Sequence, residues 1–422
     1  MQKSIAVFMR GLAALLIKPF LQNAAMASAC LAAISFPFSV AVSNAALAAT
    51  LVFALVSGLL WQGIQLLRQH HAILLLAWAI MLGLMLLSLA WSPDIKAGIG
   101  KIGHLWFVLL LPALTSLLQD EKRRQAFFLS LSIGLTAHLI YCIVQAIDLF
   151  GIALPAAGAT GPNDPAGLIG HIGFGFVYGL WAGWLIMHAL HQHGWQRWLP
   201  LLLALWAIGM VFIVQGRGGY LTTLVLLFVI FWKEFVHGRL GRRTPWFIAG
   251  TMLLLTAFAL GPGQERIQLT WQQLQQIASG DIKDSDPRVP MWIAALKAWQ
   301  LKPLIGHGVG GYMEANQSVI EAHPNLSTPF LGHPHNIYLL AMVREGIVGL
   351  ASLVFLLSIW IYSGWRRDWS IDASGYLIAA SGLAILVNGL TSSSFEEHYS
   401  GIMAIWILSS GLAMAYERKD RV

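Results

Sequence analysis

Charge is what this sequence has least of. Only 11% of its 422 residues are Asp, Glu, Lys or Arg, and 57% are hydrophobic; soluble domains carry roughly 25% charge and about 45–50% apolar residues. A water-soluble globule is therefore excluded. Cysteine is nearly missing too. Cys30 and Cys142 both lie in apolar stretches, which rules out a disulfide framework. The Ala27-Ser28-Ala29 run before Cys30 lacks the leucine of a lipoprotein cleavage site. There is no internal repeat, low-complexity stretch or heptad run. What the chain does have is 18 Trp, 20 Phe and a mean hydropathy of +0.68. This composition is that of a polytopic all-α membrane protein. The net charge of +7 would suggest nucleic acid in a soluble protein. In a membrane protein it marks cytoplasmic loops, so the expected partners are membrane lipids and no nucleic acid.

About 12 segments are long and apolar enough to cross a bilayer, since a crossing helix needs about 20 apolar residues. They lie near 22–40, 43–63, 72–91, 102–118, 126–147, 168–190, 199–214, 219–236, 246–262, 346–363, 374–391 and 400–416. Pro37 is expected to kink the first. Residues 1–20 look like a basic amphipathic leader without a cleavage site, and are read as a retained cytoplasmic flank. With the N-terminus inside, the inner loops collect most of the Lys and Arg, while the short outer loops hold only Lys96, Lys101 and Arg217. Both termini are thus expected in the cytoplasm. The division that follows is 1–262 as membrane domain with spans 1–9, 263–345 as one large loop on the far side, and 346–422 as spans 10–12. Within the loop, 264–278 reads as an amphipathic helix with Trp271 on its apolar stripe. Residues 288–300 read as a second helix, with Trp292, Leu296 and Trp299 on one face. A glycine-rich turn at 304–311 follows.

Chemistry gathers at this loop. His335-Asn336, nine residues, then Gly346-Ile347-Val348-Gly349 forms H-N-x9-G-x-x-G. It puts an imidazole before a helix whose glycines permit close packing. Such a histidine can exchange a proton near neutral pH, or simply cap the helix. Arg217, within Gln215-Gly216-Arg217-Gly218-Gly219, either snorkels to the interface or grips a phosphate by paired hydrogen bonds. Arg288 follows Asp284-Ser285-Asp286-Pro287 and can pair with either aspartate. The Asp-x-Asp there is too short to indicate a divalent metal. His307, His323 and His333 lack the regular ligand spacing of a zinc site, so no metal is expected. Lys101 and His104, at the outer end of the fourth span, either add charge to a cavity or mark the interface.

In this order and topology the chain resembles the bacterial O-antigen ligases, within the superfamily of O-antigen ligases and polymerases. The resemblance covers most of the chain. His335-Asn336…Gly346…Gly349 matches the family signature. Arg217-Gly218 resembles its arginine turn, although Gly216 stands where a serine is usual. Arg288, with Trp292, Leu296, Pro303-Leu304 and the glycines 306, 308 and 310, is similar to its arginine-to-glycine stretch.

The resemblance implies a C-type glycosyltransferase of the bacterial inner membrane with no cofactor. It would transfer O-antigen from undecaprenyl pyrophosphate onto the lipid A-core on the periplasmic face. Under that reading Arg217 and Arg288 hold the pyrophosphate and His335 is the general base, with inversion at the anomeric carbon. Asn336, Lys302, Tyr338, His104 and Lys101 are the candidate substrate contacts. Trp271, Trp292, Trp299 and Tyr312 stack on sugars or pack the loop onto the membrane domain. Three alternatives differ in substrate. A repeat-unit polymerase lengthens another lipid-linked chain. A protein O-oligosaccharyltransferase shares the His-Asn motif but tends to carry a longer C-terminal extension. A transporter or flippase tends to show inverted repeats and broken mid-membrane helices.

Overall fold

A computed structural model describes residues 2–148, 155–157, 161–236, 263–278, 286, 288–326 and 332–417. Among these residues the protein is helical, with no strand and a single bridge pairing Gly161 with Asp164. Seven helices are long and apolar enough to cross a membrane, or up to nine if each of two bent pairs is one span. The segment expected to cross at 246–262 lies outside the described residues, as do Lys283 and Asp284.

The amino-terminal third departs from straight crossings. Helix α1 (Gln2–Ser35) ends before Pro37, which sits in a turn rather than kinking a helix. Ser39 then starts α2 (Val40–Val56), its hydroxyl accepting the Val42 N–H at 3.2 Å. The stretch expected to cross at 43–63 is broken in two: α2 and α3 (Leu59–His70) meet at 80°. Gly58, with a left-handed φ of 81°, makes that corner possible. Apolar periodicity runs on through Leu59 and Leu60, so the pattern alone conceals the bend. The pair α5 (Ile95–Gly103) and α6 (Leu110–Leu117, extended by a short turn from Trp106) is bent by 42°. Between them lies α4 (Ala72–Ser88), continued to Trp91.

The remaining long helices are α7 (Glu121–Ala146), α8 (Gly170–Leu190), α9 (Trp198–Ile213), α10 (Arg217–Val236), α14 (Ile337–Trp365), α15 (Ser374–Asn388) and α16 (His398–Glu417). Asp120 caps α7 through the Arg123 N–H at 2.9 Å. Helices α8, α15 and α16 are largely enclosed; Trp181, Tyr178, Tyr376 and Trp406 are buried there. The outer helices leave Leu55, Leu76, Leu87, Leu202 and Phe228 exposed, the surface that a bilayer would solvate.

Between α10 and α14 the described residues form helices α11 (Gly263–Ala278), α12 (Arg288–Leu301) and α13 (Tyr312–Ala322). Trp271 on α11 is 62% exposed. Helices α12 and α13 share a small core with α14, in which Ala294, Ala298, Tyr312, Val319, Leu340 and Val343 pack together.

The tenth span was expected to start at Gly346, but α14 already runs from Ile337 and is broken at that glycine. Gly346 has φ 69° and ψ −159°, a region open essentially only to glycine. The carbonyls and amides freed at the break bond to the glycine-rich turn. Val343 O accepts the His307 N–H at 2.9 Å, Arg344 O the Gly308 N–H at 2.7 Å, and Pro303 O the Ile347 N–H at 2.9 Å. A Cβ on Gly346 would run into the Leu304 backbone. The second half of the H-N-x9-G-x-x-G motif therefore builds a notch that receives the loop.

Candidate active site

Arg217 opens α10 and reaches toward the loop helices. Its Nη1 donates to Gln273 Oε1 of α11 at 2.8 Å, and its Nη2 to Asp286 Oδ2 at 3.0 Å. Arg288, the first residue of α12, lies against the same carboxylate. Asp286 Oδ1 accepts the Arg288 N–H at 2.9 Å, while Arg288 Nη1 is 3.8 Å from Oδ2. Two guanidinium groups, distant in sequence, thus converge on one carboxylate.

Both arginines line a polar cavity of about 220 Å³, with Asp164, His171, Gln215, Asn388, Thr391 and Ser392 among its other walls. The turn leading into α10 is fixed from one side by Asp164, whose Oδ1 accepts the Gln215 N–H at 2.8 Å. Asp164 Oδ2 is 3.2 Å from His171 Nδ1. The glycine at 216 has a local cause. A Cβ there would sit 2.5 Å from the His171 carbonyl oxygen, so a serine would displace the start of α8, and the turn closes by its backbone, Gly216 N–H to Val214 O at 2.9 Å.

The turn from His333 to Asn336 approaches from the other side, and each of its residues is tied. Pro334 O accepts the Trp292 Nε1–H of α12 at 3.0 Å. Asn336, not His335, caps α14: its Oδ1 accepts the Tyr338 and Leu339 N–H groups at 3.0 Å, and its Nδ2 donates to Leu390 O at 3.1 Å. His335 takes a left-handed φ of 49°. Burial drives its pKa down to about 4; His333 and then Arg288 add to the shift, and Asp286 opposes it. His335 is consequently neutral at pH 7 and within electrostatic reach of the Arg288–Asp286 pair.

A second cluster surrounds Glu396, in the connection between α15 and α16. Arg344, only 3% exposed, grips both carboxylate oxygens, and Lys101 Nζ stands 3.7 Å from Oε2. Burial alone would raise the Glu396 pKa. The Arg344 charge and hydrogen bond, then Lys101 and His104, outweigh it and hold the carboxyl below its usual range. His333 stands between the clusters, its ring 4.2 Å from that of His335, and its pKa is lowered by burial and by Lys101 and Arg344, against Glu396.

The fold thus brings Arg217, Arg288 and His335 to one region, and Lys101 and His104 to the neighbouring Glu396. It uses Asn336 as a cap and spends the Tyr338 hydroxyl on Leu386 O at 2.6 Å. Lys302 follows the far end of α12, about 20 Å from Arg288 at 1.5 Å per residue; it is exposed and apart from both clusters. Sequence reasoning passed over Gln273, Asp164, Arg344 and Glu396; it offered Asp286 as a partner of Arg288, which the structure shows, but not of Arg217. The adjacent acids Glu396-Glu397, in a chain with only 19 acidic residues, were the available signal. Among the described residues no three His, Cys, Asp or Glu side chains gather as metal ligands.

Comparison with known proteins bears on this region. Residues 202–354 match the family model described as O-antigen ligase; that stretch runs from α9 into α14, past its break at Gly346, and contains Arg217, Asp286, Arg288 and His335. An uncharacterized protein of Haemophilus influenzae is 25% identical over 279 residues, covering 62% of this chain and 69% of that protein.

Proposed function

We propose that this chain, whose residues 202–354 match the family model described as O-antigen ligase, is a multi-pass inner-membrane glycosyltransferase. It moves O-antigen from undecaprenyl pyrophosphate to the lipid A-core at the periplasmic face, with both termini in the cytoplasm. The observation that carries this reading is the convergence of Arg217 and Arg288 on Asp286 beside a polar cavity. Two guanidinium groups aimed at one anion fit a pyrophosphate, because arginine presents paired donors matched to phosphate oxygens. Asp286 keeps them aligned until the donor, with more negative charge, takes its place.

The acceptor hydroxyl oxygen attacks the anomeric carbon and the C1–O bond to the pyrophosphate breaks. The electron pair leaves with undecaprenyl pyrophosphate, the hydroxyl proton passes to His335, and the anomeric centre inverts. Charge developing on the leaving group is met by guanidinium groups already in place. No metal enters this scheme. In the free enzyme His335 is a weak base; a bound pyrophosphate beside Arg288 raises its pKa toward neutrality, since a nearby anion favours the protonated form. Lys101 and His104 are assigned to the acceptor's anionic core, and Asn336 and Tyr338 to shaping the wall below it. Lys302 is assigned an outlying contact with the glycan.

The test is transfer by purified protein, in chelator, from lipid-linked O-antigen to O-antigen-free lipopolysaccharide, comparing wild type with His335→Ala. Capped lipopolysaccharide from the wild type alone is expected. Lengthened lipid-linked chains with unmodified lipopolysaccharide would make it a polymerase instead, and glycan on Ser or Thr of a protein acceptor an oligosaccharyltransferase. An untouched donor would remove the transferase reading and leave transport.

A further inference from the structure

His333 has no part in the reaction as written, yet it contacts His335 through both main chain and ring. The His335 N–H donates to His333 Nδ1 at 3.3 Å. The same Nδ1 lies 3.0 Å from Ser393 Oγ, and the Ser393 N–H in turn donates to Glu397 Oε1 at 3.2 Å. An Nδ1 that accepts a backbone N–H carries no proton, so the proton of the neutral ring sits on Nε2; the Ser393 hydroxyl then donates to Nδ1 as well. Burial and the cations Lys101 and Arg344 favour this uncharged ring.

The contact matters because His335 holds a left-handed φ of 49°, which a residue with a Cβ disfavours. Its neighbours are fixed by other bonds: Pro334 through Trp292, and Asn336 through its cap and Leu390. Its N–H bond to His333 is what ties the His335 main chain itself to the α15–α16 connection through Ser393. We propose that His333 is a positioning residue for His335, presenting a bare Nδ1 that fixes the main chain from which the His335 imidazole projects. The proposal rests on the reading of His335 as proton acceptor.

Two measurements on the full-length protein test it. In ¹⁵N-histidine-labelled protein at pH 7, the His333 signals are identified by their loss in His333→Asn. Nδ1 is expected in the unprotonated range and Nε2 in the protonated range; a protonated Nδ1 would overturn the proposal. This readout stands whether or not the chain transfers glycan, so it separates failure of the positioning role from failure of the ligase reading.

The second is a substitution series assayed for transfer. Asn sets its amide oxygen where Nδ1 stands and is expected to keep kcat within about threefold. Gln sets its oxygen nearer Nε2, and Ala has none. Both are expected to lose about 100-fold in kcat with KM nearly unchanged, the scale on which a misplacement of about 1 Å acts. His333→Ala added to His335→Ala should cost nothing more. Asn as slow as Gln, or losses confined to KM, would make His333 something other than a positioning residue.

Discussion

Replacing Arg217 with lysine separates charge from geometry. The guanidinium sends Nη1 to Gln273 and Nη2 to Asp286, at 2.8 and 3.0 Å in diverging directions. One ammonium on a shorter stem keeps the charge and one of the two contacts. The ion pair is partly solvated, with the Arg217 side chain 35% exposed, so its loss is worth at most about 1 kcal/mol of stability. In a chain of this size that lowers Tm by no more than about 2–4 °C. On the proposed mechanism, the missing donor faces charge developing on the leaving pyrophosphate in the transition state. There one donor is worth about 2.7–4 kcal/mol, or 10²–10³ in kcat. Arg217→Lys should therefore unfold nearly as the wild type does in a detergent melt, while glycan transfer at saturating donor falls by two to three orders of magnitude. A rate within fivefold of wild type would refute the reasoning, because the paired donors would then be dispensable. So would a slow enzyme whose Tm has fallen far beyond that range, since the loss would then be one of folding.

Glu396→Ala should destabilise by about 3–5 kcal/mol, the cost of leaving a buried charge such as Arg344 without its partner; Lys101→Met, removing a more exposed pair at 3.7 Å, should cost no more than about 1 kcal/mol, and paired denaturation curves check the contrast. Gly346→Ala forces a side chain into a glycine-only region and against Leu304, so at least about 1–3 kcal/mol should be lost, seen as a lower Tm and a lower yield of folded protein. For pH, His335 is neutral in the free enzyme down to about 4, so kcat/KM should hold through pH 5–6 and fall only below that. The limb in kcat should lie higher, because bound donor raises the same pKa; coincident limbs near pH 6.5 would contradict both assignments. The stability sign agrees: with the folded pKa depressed, the His335 contribution is present above the unfolded value near 6.5 and drains away as pH falls toward 4.

Most helices were legible because long apolar runs in a charge-poor chain permit few other structures, and α4, α7, α8, α9 and α10 lie close to their expected places. The failures share a cause. The corner at Gly58 falls inside an apolar run, and the charged Arg344-Glu345 before Gly346 reads as the edge of a span rather than as a break within a longer helix; hydropathy does not register a backbone angle. Arg217 stood out because a charge near membrane depth is conspicuous, and His335 and Arg288 because of the motifs in which they stand. Asp286 was legible as a neighbour of Arg288 but not as the partner of Arg217, 69 positions away, and Glu396 lies 52 positions from Arg344; nothing in a local window couples those pairs. Capping by Asn336 rather than His335 turned on a backbone angle at the neighbouring residue.

The notch in α14 has a practical consequence for protein engineering. Four consecutive amides of the turn it receives, at His307, Gly308, Val309 and Gly310, find their acceptors at Val343 O, Arg344 O, Ser88 Oγ and Ser92 Oγ, while the Trp91 indole N–H donates back to Ile305 O. An unsatisfied buried amide costs about 1–3 kcal/mol, so a segment cut out at 263–342 would lose much of its folding energy with the scaffold it left behind. Chimeras meant to exchange substrate preference between relatives must therefore carry residues 88–94 and 343–347 along with the loop. A soluble fragment raised for antibodies would display surfaces that the intact protein conceals.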